Sequence, residues 1–298
     1  DEQKEIVSFF NKIENEMMEL EGEIISQQAY LKKLRQQLLQ EAIEGKLTTE
    51  WRKKNPKLIS GENHASKLLE KIKAEKERLI NEGMIKKEKP LAPIADAEKP
   101  FNLPVGWEWC RFGDYVLFER GKFSIRPRND KSCYGGKYPF IQIGSLNNEG
   151  SVIVDFKQTL NEKGFSVSKQ FEKGTIAIAI VGGTIGNLGV LGLDMCFPDS
   201  MVGIRPNTNS NQQYVLLLLR SKQPEIRNAS YQMAGQPNIK LPTLKELIVA
   251  LPPFAEQHVI VERVDKLMTM IDELEKQVTE RKDKSERLMQ SVLREAFT

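Results

Sequence analysis

Six basic side chains crowd the stretch from Arg120 to Lys137: Arg120, Lys122, Arg126, Arg128, Lys131 and Lys137, against one acid, Asp130. Gly121, Pro127, Asn129 and the pair Gly135–Gly136 mark this stretch as loop, with Phe123 and Tyr134 set among the charges. Such a loop suits a polyanion, because Arg and Lys hold phosphates and Arg can pair bidentately with guanine. An ordinary solvated loop is the plainer alternative. A second polar set follows Gly235, namely Gln236, Asn238 and Lys240. Gln and Asn can pair with adenine, although Asn is also a common turn former.

The remaining chemistry-bearing strings are weaker. Gly182–Gly186 reads GGTIG but lacks the Gly-Lys-Ser/Thr that gives a phosphate loop its charge and its magnesium ligand. It reads as a turn between strands. Leu251–Phe254 reads LPPF, close to the Asn/Asp-Pro-Pro-Tyr/Phe string of amino-methyltransferases. That chemistry needs a polar first residue to accept a hydrogen bond from the amine, which Leu251 cannot do, so the string reads as a rigid strand-to-helix joint. Pro198–Asp199 resembles the start of a nuclease metal site, yet no Glu-x-Lys follows at a workable distance. His64 and His258 have no Cys or His at ligand spacing. No nucleophile–base pair is found. The sequence therefore predicts no catalytic residue, no metal and no resident cofactor.

These loops need a scaffold, and the hydrophobic pattern supplies it. Alternate steps of four and three from Ile6 to Leu38 place apolar residues at nine of ten positions. Ile13, Met17, Leu20, Ile24 and Leu34 are the expected seam. Steps from Ile260 to Val292 give eight of ten, with Leu267, Ile271, Leu274, Val278 and Leu288 as the seam. A repeat every 3.5 residues predicts coiled-coil helices. Sliding the chain by 254 positions also pairs Glu2 with Glu256, Gln3 with Gln257 and Lys12 with Lys266. The same slide pairs Gln36 with Gln290 and Glu41 with Glu295. Matches at polar positions, held without a gap, read as an internal repeat rather than shared heptads.

Between the helices the pattern changes. Residues 47–103 are basic and polar, with one amphipathic helix (Leu68, Leu69, Ile72, Leu79) ended by Gly83, then a Pro-rich linker. Residues 104–253 hold short β-like runs, among them Tyr138–Ile143, Thr175–Val181, Val190–Leu193 and Met201–Ile204, with a helix at Gln212–Ser221. The expected fold class is α+β: one mostly β domain (104–253) and two long helices (1–46 and 254–298) packed as an antiparallel coiled coil, with 47–103 as connector.

Bulk composition narrows the function. The net charge of +3 excludes a strongly basic nucleoid protein. No apolar run approaches the roughly 18 residues of a membrane span. Three widely spaced cysteines predict no disulfide framework and suit a reducing cytoplasm. The charged opening, on Asp1 rather than Met, carries no signal peptide and suggests a chain whose start lies further upstream.

A repeated long helix bracketing a basic, loop-rich domain resembles the DNA-specificity subunit of type I restriction–modification enzymes. LPVGWEWCRFGD (Leu103–Asp114) resembles the family's lead into a target recognition domain. YGGKYPFIQIGSL and CFPDSMVGI resemble its inner strands. GQPNIKL and LIVALPPFAEQ resemble its exit into the second helix, while LRQQLLQEAIEGKL and LMQSVLREAF resemble the two helix ends. GKLTTEWRKKNPKLISGEN resembles the central region. The resemblance implies a non-catalytic subunit that reads one half of a bipartite target in double-stranded DNA and docks methyltransferase subunits and a restriction subunit. S-adenosylmethionine and ATP would sit only on those partners. Complete subunits carry two recognition domains, so this chain resembles a C-terminal half or a natural half-length version, which a homodimer through the helices could complete. Base-contacting residues vary with the target in this family and cannot be carried over. The competing reading is a coiled-coil scaffold or adaptor that binds no DNA.

Overall fold

With no proline before Pro56, the first heptad segment runs as a single helix, α1 (Glu2–Ile43). Gly45 ends it in the left-handed region at φ 71°, where a Cβ would lie 2.8 Å from both Pro104 and Trp107, so only glycine fits. The structure is a computed structural model that describes residues 2–207, 209–231 and 237–296. The connector holds α2 (Thr49–Lys54) and α3 (Ala65–Asn81). The sheet-bearing domain starts with β1 (Glu108–Arg111), α4 (Phe112–Tyr115), β2 (Leu117–Arg120) and β3 (Tyr134–Phe140). There follow β4 (Val152–Ile153), β5 (Gln158–Leu160), α5 (Glu162–Ser166) and β6 (Gln170–Phe171). The inner strands are β7 (Ile176–Ala179), β8 (Leu188–Leu191), β9 (Met195–Cys196) and β10 (Met201–Arg205). The chain ends through α6 (Gln212–Tyr231), α7 (Leu241–Glu246), β11 (Ile248–Leu251) and α8 (Phe254–Ala296).

The chain divides into two units: a helical unit of 1–41 with 262–298, and a globular unit of 42–261. In the helical unit, Met17 touches Ser285, Glu23 pairs with Arg281 at 2.9 Å, and Arg35 meets Asp272 and Glu275. Rising numbers on α1 meet falling numbers on α8, so the helices run antiparallel. Met17, Ile24, Leu31 and Leu38 are buried at heptad spacing, facing Val264, Met268, Ile271 and Ser285. Ile13, Leu20 and Val278 are half-buried.

Four expected seam residues are not in the seam. Leu34, Leu267, Leu274 and Leu288 are 44%, 37%, 45% and 60% exposed. The stripe on α8 runs instead through Val264, Met268, Ile271, Glu275 and Val278, keeping the heptad but taking the other neighbouring position. The reason is Arg35. Its guanidinium donates Nε and Nη2 to Glu275 at 2.9 and 2.8 Å, and Nη1 contacts the sulfur of Met268 at 3.5 Å. A fork-to-fork pair of this kind is strongly oriented. It occupies the seam where Leu34 and Leu274 were expected.

The globular unit contains three sheets: β1–β11, then β2–β10–β7–β8–β4, then β5–β3–β9–β6. β7 and β8 are buried at every residue, which is why they read as continuous apolar runs rather than alternating ones. Tyr214, Val215, Leu218 and Leu219 of α6 are buried with them. This helix continues past the expected Ser221 and through Pro224. Gln223 ties it down beside the proline, donating to the carbonyls of Asn148 and Gly186 at 2.8 and 2.9 Å. Tertiary anchoring here overrides a local breaker.

A buried polar node organises the start of α8. Glu256, 0% exposed, accepts from the Trp107 indole at 2.9 Å, the Thr48 hydroxyl at 2.6 Å and Arg52 at 2.5 Å. Its position in the first helical turn adds a favourable dipole term. The neighbouring Gln257 accepts from the Tyr115 hydroxyl at 2.9 Å and the Asn211 amide at 3.2 Å. The Pro-rich linker packs as a strap rather than hanging free. Arg111 donates to the carbonyls of Ala92 and Pro93 and pairs with Glu98 at 2.9 Å, while Lys245 pairs with Glu88.

Candidate nucleic-acid interface

Strand order decides where the two polar sets of the sequence end up. β2 ends at Arg120 opposite Val202, and β7 ends at Ala179 opposite Met201. Both chains leave the sheet at the same end, where β10 begins. Backbone hydrogen bonds carry this pairing into the loops: Gly121 N–H to Met201 O at 2.9 Å, Lys122 N–H to Phe197 O at 3.1 Å, and Ile180 N–H to Ser200 O at 3.0 Å. On the far side Ile239 N–H donates to Ile180 O at 2.8 Å, Gly182 N–H donates to Pro237 O at 3.0 Å, and Val181 bridges Asn238. One sheet end thus gathers the basic loop, the Pro198–Ser200 turn, the GGTIG turn and the segment from Pro237. Two sets read separately in the sequence, around Arg120 and around Asn238, are anchored to one structure.

The loop is built from its middle outward. Phe123 is buried against Cys133, Phe140, Leu160 and Cys196, which fixes the loop to the four-stranded sheet. Gly121 lets it run tight against the next turn, since a Cβ there would lie 2.2 Å from Pro198 O. Asp130 caps a short turn by accepting from Ser132 N–H at 3.0 Å, and the Ser132 hydroxyl together with this backbone bond holds its carboxyl below the usual range.

The charges are not all free. Arg126 and Arg128 pair with separate carboxylate oxygens of Asp199, the former at 3.2 Å, and Arg120 Nε donates to the Asp199 carbonyl at 2.8 Å. Arg126 also donates Nη1 to the carbonyls of Phe123 and Ile125 at 2.7 and 2.8 Å. The Tyr134 hydroxyl donates to Arg128 O. Lys137 is engaged elsewhere, on β3, where it pairs with Glu162 at 3.0 Å and lies over the Tyr138 ring. That carboxylate raises its pKa. Lys122 and Lys131 are exposed, with no partner for their ammonium groups among the described residues. Asn238 and Lys240 are exposed as well. Gln236 lies outside the described residues.

Sequence reasoning met Asp199 only as part of a nuclease-like Pro–Asp string and missed its place beside the arginines, which no nearby residue signals. The other motifs take structural places. GGTIG is the turn joining β7 to β8, and LPPF joins β11 to α8. His64 caps α3 by accepting from Ser66 N–H. The three cysteines are buried thiols, and burial pushes Cys196 up to about 11.

This architecture has known counterparts. A family model described as "Type I restriction modification DNA specificity domain" matches residues 104–281. The chain belongs to the type I restriction–modification DNA specificity family. The specificity subunit of the type I restriction enzyme EcoAI from Escherichia coli is 31% identical over 284 residues, covering 88% of this chain and 44% of that protein. The EcoEI specificity subunit, also from Escherichia coli, is 28% identical over 277 residues, covering 88% and 43%. The chain thus spans less than half the length of these relatives. Among solved structures, the HsdS subunit from Thermoanaerobacter tengcongensis shares the fold at a TM-score of 0.54 and 19% identity, covering 99% of this chain and 58% of that one. A chain from a study of complex assembly and conformational transition of the type I R-M system gives a TM-score of 0.55 at 20% identity, covering 78% and 54%. The two solved structures support the α+β fold of a β-rich domain with long helices. No helix among the described residues is long and apolar enough to cross a membrane.

Proposed function

We propose that this chain reads one half of a bipartite double-stranded DNA target for a type I restriction–modification complex. The observation that carries this is the sheet end, where Arg120, Lys122, Arg126, Arg128, Lys131, Asn238 and Lys240 extend from paired strand ends. Lys and Arg there hold phosphates and set register, while Arg and Asn read base edges. The coiled coil serves as the spacer and as the docking surface for methyltransferase subunits, with a restriction subunit joining the complex. Catalysis, S-adenosylmethionine and ATP belong to those partners, and the chain itself is non-catalytic, free of cofactors and cytoplasmic. Methylome sequencing of cells expressing the chain with type I methyltransferase subunits should reveal a new interrupted motif. A purely scaffolding chain would give no new motif and no shift of a mixed-sequence duplex at low salt.

Pairing of two copies through the helical unit has its own support. Phe9, Tyr30 and Leu34 share the α1 face that carries Glu23, and Leu267, Met270, Leu274 and Leu288 share the α8 face that carries Arg281. Glu23 and Arg281 meet, so these exposed residues form one apolar flank, of the kind that marks an association surface. Two identical copies related by a two-fold axis would specify an interrupted palindrome. Light scattering that finds only monomer at about tens of micromolar, a concentration at which weak self-association shows, would remove this pairing.

A further inference from the structure

We infer that Asp199 is a positioning residue for sequence readout, one that presets the arginines of the basic loop and holds down their affinity for DNA of any sequence. This rests on the reading that the loop meets DNA. Both oxygens of one carboxylate are used, Oδ1 by Arg128 and Oδ2 by Arg126, while the main-chain carbonyl of the same residue takes Arg120 Nε at 2.8 Å. Three guanidinium groups of the Arg120–Arg128 stretch therefore converge on a single residue of another turn. Asp199 is itself placed by backbone bonds, since its neighbour Ser200 accepts from Ile180 N–H and Pro198 O accepts from Met201 N–H. The anchor belongs to the sheet rather than to the mobile chemistry of side chains.

Counting donors shows what remains for a ligand. A guanidinium carries five N–H groups. Arg126 donates to Phe123 O, Ile125 O and Asp199, so it acts as a strut. Among the described residues Arg128 donates only to Asp199, and Arg120 only to the Asp199 carbonyl. Each keeps four N–H groups, enough for the bidentate fork that guanine O6 and N7 accept. Fixing one edge of a guanidinium while leaving another open lowers the ordering cost of that contact. The carboxylate also competes with phosphate. The Asp199 side chain is 36% exposed, so a base edge or phosphate can reach the same arginines.

The test uses the full chain and a random-sequence duplex library, with enrichment of bound sequences as one readout and salt dependence of binding as the other. Asp199→Asn keeps the carbonyl for Arg120 and the side-chain shape but removes the charge. It should bind the unselected library about three- to tenfold tighter, with a salt slope steeper by about 0.9 for each phosphate contact added. Motif enrichment should fall about tenfold. Asp199→Glu restores the charge on a longer arm, so its salt slope should stay at the wild-type value while enrichment still falls. A mere structural role predicts neither split. In an Arg126→Ala, Arg128→Ala background, Asp199→Asn should cause no further loss of enrichment. Wild-type enrichment in Asp199→Asn, weaker library binding, or further loss in the double-Ala background would each overturn the inference. If the double-Ala chain itself binds DNA like wild type, the loop reading fails; if it is impaired while Asp199→Asn is inert, only this inference fails.

Discussion

Glu256 and Asp199 are both carboxylates that gather arginine, one sealed inside the globular unit and the other at the surface of its sheet end. Glu256 is fully enclosed, and every contact it makes is to a group that is also fixed: an indole N–H, a threonine hydroxyl and Arg52. Removing water from such a pair leaves no exchange partner, so the cost of breaking it is large. Asp199 makes the same kind of bond to Arg126 and Arg128, but water and ligands reach it. Exposed pairs contribute little to stability. The difference between the two is burial rather than chemistry. One carboxylate holds the connector to the start of α8; the other leaves its arginines available.

Breaking the sealed site should give the largest effect. Glu256→Ala leaves the Trp107 N–H and the Arg52 guanidinium without their buried acceptor, and should cost about 3–5 kcal/mol in urea unfolding. Glu256→Gln, which keeps an acceptor for Trp107, should cost less. The helical unit offers the same contrast in apolar form. Ile271 is 4% exposed, and Ile271→Ala should cost about 2–4 kcal/mol, measured by the same unfolding. At the open site, Arg126→Ala with Arg128→Ala should leave thermal melting nearly unchanged. It should weaken DNA binding about tenfold and flatten the salt slope by about 0.9 per lost phosphate contact. Equal loss of stability and binding would show that the loop is a structural brace. Leu274→Lys should have the smallest effect on folding, within about 0.5 kcal/mol, because that residue stands outside the seam. Its consequence should instead be seen in light scattering, as loss of any association through the apolar flank.

The parts of this molecule that sequence reveals are those set by near neighbours. Heptads placed both long helices, and LPPF marked the joint into the second, because each depends on a few adjacent residues. On α8 the heptad placed Ile271 and Val278 in the seam but misplaced Leu267, Leu274 and Leu288. Arg35 and Glu275, which determine it, lie 240 positions apart, and nothing local announces their pairing. Asp199 was hidden for the same reason, since Arg128 is 71 positions away. Lys137 looked like part of the basic cluster because it follows closely in sequence. Its strand carries it to Glu162 instead. The meeting of the Arg120 and Asn238 segments depended on β10 lying between β2 and β7, an order that no periodicity encodes.

The pairing of β1 with β11 has an evolutionary consequence. Glu108 stands opposite Leu251 and Arg111 opposite Ile248, and Phe112 N–H closes onto Leu247 O at 2.8 Å. The domain's two ends therefore lie side by side, the arrangement in which whole domains can be inserted or exchanged. Thr48, Arg52, Trp107 and Glu256 all stand outside the segment between those strands, so their node would survive replacement of everything within it. Gln257 reaches inward to Tyr115 and Asn211, Lys76 to the carbonyls of Gly113, Asp114 and Val116, and Glu75 and Glu88 meet Asn209 and Lys245, so an incoming segment must also match these contacts. Exchange of the segment between β1 and β11 in a single recombination event would therefore leave the Glu256 node in place, with both ends of the new segment already side by side.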